Sequence, residues 1–168
     1  MSETHSSPQA SGRSPSSPHL RVVRPGGFDG EPMNGSAAVD LISELQALLR
    51  AYPQVRYAAS TDRVTIYPLN PDGFEIGLVL AGRGATVTFE GWHQAFTEAA
   101  DALAVIRLGL SQAARLEVHF RGTVPYRWTV QADRSGTWLN VSTVSRLLYP
   151  FWRSKTIRYL QNRVLKAA

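Results

Sequence analysis

The strongest constraint on this chain is a change of apolar period between residues 74 and 110. Phe74, Ile76, Leu78 and Leu80 alternate with Glu75, Gly77 and Val79, so one face of an extended segment is apolar at period two. Gly82-Arg83-Gly84 supplies a tight turn, and the chain returns with Val87 and Phe89 set against Thr86 and Thr88, which predicts a hairpin. Gly91-Trp92-His93 interrupts the alternation. From Phe96 onward Ala99, Leu103, Ile106 and Leu110 recur at helical spacing, with Thr97, Glu98, Asp101 and Arg107 largely elsewhere. The spacing predicts a strand-to-helix corner at Trp92-His93 and a helix over residues 96–110. A hairpin and a helix with matched apolar faces bury each other, so the core starts here.

The flanking segments extend the pattern. Before the hairpin, Val39, Ile42, Leu45, Leu49 and Tyr52 form one helical stripe, with Ser36 as N-cap, Asp40 in the first turn and Pro53 as terminator. Residues 55–59 and 63–67 read as short strands around the Ser60-Thr61-Asp62 turn cluster. After the central helix, Leu116, Val118 and Phe120 alternate with Arg115, Glu117, His119 and Arg121. Gly122-Thr123 and Arg134-Ser135-Gly136 then separate two further strands, giving a second antiparallel meander. Two periods compete over residues 156–166. A helix puts Ile157, Leu160 and Val164 on one side, whereas a strand forces Arg158 and Leu160 to share a face. The helix separates apolar from polar better and is the reading taken.

The fold class expected is therefore α+β: an antiparallel sheet of two meanders with the central helix packed on one face, in a single domain over residues 37–168. Residues 1–36, rich in Ser, Pro and Gly with few apolar side chains, have the composition of a disordered tail.

Composition bears on function by exclusion. Cysteine is absent, which removes disulfides, thiol nucleophiles and thiolate metal sites. Neither a membrane-spanning apolar run nor a signal-peptide pattern is present, so the expected location is cytoplasmic. The formal charge of +5 is unevenly placed. Residues 1–120 carry nine Arg against twelve Asp or Glu, a net of −3, while residues 121–168 carry nine Lys or Arg against Asp133 alone, a net of +8. That asymmetry implies an acidic protein or nucleic acid as partner, or a solvated basic face.

Four groupings are candidates for chemistry. His93 beside Trp92 is the one catalytic candidate, a general base or anion donor at the corner; the alternative is a core indole beside a solvated histidine. Glu117 and His119 share a strand face with Arg115 and Arg121, but spacing assigns no third metal ligand, so an exposed charged face is expected and no metal or cofactor. Gly109-Leu110-Ser111-Gln112-Ala113 lies after a helix and before a strand, the reverse of a nucleophile elbow, and Gly82-Arg83-Gly84 lacks the rest of a phosphate loop. The fourth grouping is a basic, aromatic end: Trp152, Arg153, Lys155, Arg158, Tyr159 and Arg163, with Arg146, Lys166, Tyr149 and Phe151 interleaved. Its cations suit phosphates or an acidic groove, and its aromatics stack on bases if exposed or fill the core if buried. An amphipathic helix there would also suit an anionic membrane.

Gly91-Trp92-His93 with Phe96, Gly109-Leu110-Ser111, Tyr126-Arg127-Trp128, Phe151-Trp152-Arg153 and Tyr159-Leu160-Gln161-Asn162 together resemble a group of small uncharacterised bacterial proteins of unknown function. The resemblance spans roughly residues 64–162 and implies no activity and no functional residue. The function expected from the residues is a non-catalytic interaction module using the basic end; the alternative is a small enzyme built on Trp92 and His93.

Overall fold

The computed structural model describes residues 35–82 and 84–166; the expected disordered tail lies outside them, apart from its last two residues. The architecture is α+β with two antiparallel sheets. Helix α1 (Gly35–Arg50) leads into β1 (Tyr57–Ala59), β2 (Arg63–Ile66), β3 (Ile76–Ala81), β4 (Gly84–Phe89) and β5 (Trp92–Phe96). Helix α2 (Ala99–Leu110) follows, then β6 (Ala114–Arg121), β7 (Val124–Arg134), β8 (Thr137–Ser145) and β9 (Lys155–Leu160). The first sheet is a five-stranded meander, and the second has the order β8-β7-β6-β9.

The core is built where the period changes. Register places Ile76 opposite Phe89, Leu78 opposite Val87 and Phe89 opposite Trp92, so the apolar alternation of three strands forms one buried face. Phe89 lies 5.1 Å from Phe74 and 4.9 Å from Trp92, ring centre to ring centre. Helix α2 covers this face with Ala102, Leu103, Ile106 and Leu110, all buried. Gly109 makes the approach possible, because a Cβ there would come within 2.5 Å of the Phe89 ring. Gly91, at the β4–β5 turn, similarly sits on the Trp128 indole with no room for a side chain. The first sheet's turn thereby rests on the inner face of the second, where Leu116, Val118, Trp128 and Val130 are buried.

Three expectations are corrected. Trp92-His93 is not a strand-to-helix corner. Glu90 takes a positive φ of 54°, the chain turns back through Gly91, and residues 92–96 become a fifth strand before α2 begins at Ala99. In α1, Val39 is exposed and Leu41 is buried instead: at about 100° per residue, Val39 lies ~120° around the helix from Leu45, and the start at Gly35 puts Asp40 beyond the first turn.

The third correction is to residues 156–166. They are not a helix; residues 155–160 form edge strand β9, paired antiparallel with β6 from Leu116–Leu160 to Arg121–Lys155. The objection to a strand, that Arg158 and Leu160 share a face, is met by the packing itself. Leu160 lies alongside Leu116, while the Arg158 guanidinium sits 5.1 Å from the Phe120 ring centre. A cation whose stem covers an aromatic ring at a sheet's open end needs no polar face.

After β9 the chain is fastened to the core by Asn162. Its Oδ1 accepts the Phe74 N–H at 3.2 Å, and its Nδ2 donates to the carbonyls of Phe74 (2.9 Å) and Gly109 (3.3 Å). Gln161 adds a backbone bond to the Asp72 carbonyl and a side-chain bond to that of Gln112. One buried amide thus joins the end of β9, the entry to β3 and the end of α2.

Candidate functional site

The second sheet presents an outer face away from the core, and alternation assigns its residues: Arg115, Glu117 and His119 from β6, Thr129 and Gln131 from β7, Trp138 and Asn140 from β8, Ile157 and Tyr159 from β9. This face is not the exposed, alternating-charge surface expected for Glu117 and His119. His119 is 5% exposed and its Nε2 bonds one Glu117 oxygen; the other accepts Gln131 Nε2 at 3.0 Å. Gln131 continues to Asn140 at 2.8 Å, and its Oε1 accepts Arg115 Nε at 2.7 Å. The Arg115 guanidinium lies 4.3 Å from the Trp138 ring centre and 4.2 Å from that of Tyr159. An edge residue of β8 and an edge residue of β9 therefore contact the same cation.

Burial pushes the Glu117 carboxyl up. That is outweighed by the hydrogen bond and charge of His119, a hydrogen bond from Tyr159 and the charge of Arg127, which together hold it below the ordinary carboxylate range. Both its oxygens have partners, and His119 Nδ1 is buried without one. The arrangement ties four strands together through one hydrogen-bonded network.

The basic, aromatic end is built by the crossover from β8 to β9, which wraps the β6–β7 hairpin tip. Arg146 donates its backbone N–H to the Tyr126 carbonyl at 2.8 Å, Gly122 donates to Ser154 at 2.9 Å, and Arg121 Nη1 donates to the Arg153 carbonyl at 3.1 Å. Tyr149 stacks on Tyr126 at 4.3 Å; Tyr126 is the extra residue where the β6–β7 register shifts between His119 and Phe120. The loop is pinned at its base and bare at its crest. Leu147 is 96% exposed, Leu148 91%, Phe151 69% and Trp152 74%.

Of the residues expected at this end, Trp152, Arg153, Lys155 and Arg158 lie along the crossover and the first four positions of β9, and all are exposed. Tyr159 belongs to the outer face, with one side of its ring covered by Arg115. Arg163 lies past the far end of β9, about 20 Å of strand from Trp152, with its Nε on Gln161 Oε1. His93 is on β5 opposite Thr88 and exposed, while Trp92 is buried with its Nε1 donating to Ser142 Oγ at 3.2 Å. Ser111 caps the end of α2, its hydroxyl bonded to the Leu108 carbonyl at 2.8 Å.

Sequence reading missed Arg115, Gln131, Trp138 and Asn140 as a group, because cross-strand register alone brings them together. It also passed over Leu147 and Leu148; the available signal was two leucines directly after a strand, beyond its alternation. Two open concavities, of about 540 Å³ beside Val55, Arg56, Tyr57 and Tyr67 and about 480 Å³ beside Leu48, Tyr52, Arg107 and Val164, have no histidine and no carboxylate among the described residues that line them. No helix among the described residues is long and apolar enough to cross a membrane. Comparison with protein-family models, with curated proteins and with solved structures finds no match.

Proposed function

We propose that this chain is a non-catalytic interaction module that meets an acidic protein surface through Phe151, Trp152, Arg153, Lys155 and Arg158. The observation that carries the reading is Trp152, 74% exposed, followed by the cations Arg153, Lys155 and Arg158 in a segment without one Asp or Glu from residue 134 to 168. A large amphipathic ring held out on a pinned loop suits a hot-spot anchor, and the surrounding cations supply steering toward an acidic rim.

The same geometry favours protein over nucleic acid. Single strands bind where successive aromatic faces lie open for bases. Here Phe151 and Trp152 pack edge to face at 5.2 Å, Tyr149 is stacked on Tyr126, and Tyr159 carries Arg115 on one face. No run of parallel platforms results. A protruding tip with a basic surround matches an apolar pocket rimmed by carboxylates.

The test is to titrate the full chain at low and high salt with polyglutamate and with oligo-dT, reading Trp152 fluorescence against a Trp152→Phe control. Binding to polyglutamate that weakens with salt is the expected result. Preference for oligo-dT would move the reading to nucleic acid, and binding to neither at low salt would remove it.

A further inference from the structure

We propose that β8 is a self-association edge, through which a second copy of this chain adds antiparallel to form one continuous sheet; the proposal is independent of the basic end. The starting observation is a difference between edges. Exposed strand edges are normally protected by charge, shortness or cover. β1 has three residues, β5 leans on β7 and β8, and β9 carries Lys155 and Arg158. β8 has neither charge nor shortness, although β5 contacts it and a bulge interrupts it at Val141. It runs nine residues, Thr137–Ser145, without one charged side chain, and among the described residues its one hydrogen-bonded neighbour is β7.

The occupant follows from charge and symmetry. β8 lies within residues 121–168, where nine Lys or Arg face a single Asp for a net of +8, so two copies meeting through this part of the chain repel least where charge is missing. An uncharged strand is complementary to itself under a two-fold axis, the commonest symmetry of assembly. Leu139 and Val141 are each 44% exposed on this strand. Leu147 and Leu148, nearly fully exposed, lie just past its end. Antiparallel pairing sets the end of β8 in one copy beside the start of β8 in the other, so these leucines meet the second copy's Trp138 and Leu139 region. An acidic partner offers two aliphatic side chains nothing comparable. The β8 register shift opposite Val130 and Gln131 leaves Val141 as the extra residue. Four residues remain on either side to pair, and the bulge adds twist without adding charge.

Sedimentation equilibrium of the full chain tests this. The expected result is a concentration-dependent dimer whose dissociation constant rises roughly tenfold or more in Val141→Lys and in Thr143→Lys, since a lysine on each copy places like charges across the pair. Circular dichroism checks that each variant is folded, and either one suffices. The chain has no cysteine, so Leu139→Cys, Val141→Cys and Thr143→Cys, made singly, report register directly. At least one should form an inter-chain disulfide under mild oxidation, because Cβ atoms across an antiparallel pair lie about 5 Å apart, while Ser60→Cys in the β1–β2 turn should not. A chain that stays monomeric up to about 100 µM, well above the range of a specific micromolar dimer, would overturn the proposal. So would a dimer indifferent to both lysines, or one that cross-links at none of the three β8 positions.

Discussion

The two edges of the second sheet, β8 and β9, have two strands between them and differ in nearly every respect that governs association. β9 is short, carries Lys155 and Arg158, and follows an exposed basic loop. β8 is longer and wholly uncharged. Both are anchored to the same core, β8 from within by the Trp92 indole on Ser142 and β9 from its end by Asn162. They also share Arg115, which contacts Trp138 of one and Tyr159 of the other. The contrast shows how one small sheet offers two recognition chemistries: backbone groups are alike on every edge, so side-chain charge decides what approaches. Removing each anchor tests the difference between the edges from within the core, and removing charge tests it at the surface.

The largest effect is expected at Trp92. Trp92→Ala removes a buried ring stacked on Phe89 and should destabilise the fold by about 3–5 kcal/mol, read from chemical denaturation. Trp92→Phe keeps most of the ring and leaves Ser142 without its donor, and should cost about 1 kcal/mol. Equal losses in the two variants would mean that the β8 anchor is the hydrogen bond and not the packing.

Asn162→Ala comes next. It leaves the Phe74 N–H and carbonyl and the Gly109 carbonyl without their side-chain partner, a cost of about 2–3 kcal/mol for buried polar groups. Hydrogen exchange should show the effect on one side: β9 amides lose protection while those between β7 and β8 keep theirs. Uniform loss would show that the two edges are not separately anchored.

Those two anchors also show what was legible in the sequence and what was not. Period two over residues 74–89 and 114–144 revealed five strands because their turns are local. Gly82, Gly122 and Gly136 all take the positive φ that tight hairpins require. β5 was hidden because Glu90, a residue with no preference for positive φ, makes its turn. β9 was hidden because Arg158 sits in an apolar row, acceptable only over Phe120. The basic, aromatic end was visible in composition, but the exposure of Trp152 depends on how the crossover is pinned to the β6–β7 tip. The burial of Glu117 and His119 was out of reach, since a residue on β6 is enclosed only once β7 and β9 flank it on both sides. The sandwich on Arg115 needs the same register.

A smaller, pH-dependent effect is expected from the network joining the edges. Glu117 has a depressed folded value, so its contribution is complete above the unfolded carboxylate range, about pH 4–5, and is lost as pH falls through the lower folded value. Glu117→Gln should therefore lower the melting temperature at pH 7, for a cost of about 1–2 kcal/mol. The gap to the unaltered protein should narrow as the pH falls below the unfolded carboxylate range. A gap that persists in acid would assign the loss to packing and not to the carboxylate.

The smallest effect separates stability from recognition on β9 itself. Arg158 and Lys155 are both exposed cations on the same strand, but only Arg158 lies against a ring, at 5.1 Å from Phe120. An exposed cation–π contact is worth about 0.5–1 kcal/mol, whereas an exposed lysine without such a contact is usually within ~0.5 kcal/mol of neutral on substitution. Arg158→Ala should thus lower stability slightly and Lys155→Ala should leave it unchanged. In binding to polyglutamate the two should behave alike, each reducing the salt dependence, because charge near an acidic partner acts through screening-sensitive attraction and not through the ring. If Lys155→Ala changes neither stability nor salt dependence while Arg158→Ala changes both, the charge on β9 serves the sheet edge and not a partner. The basic edge would then differ from β8 in protection alone.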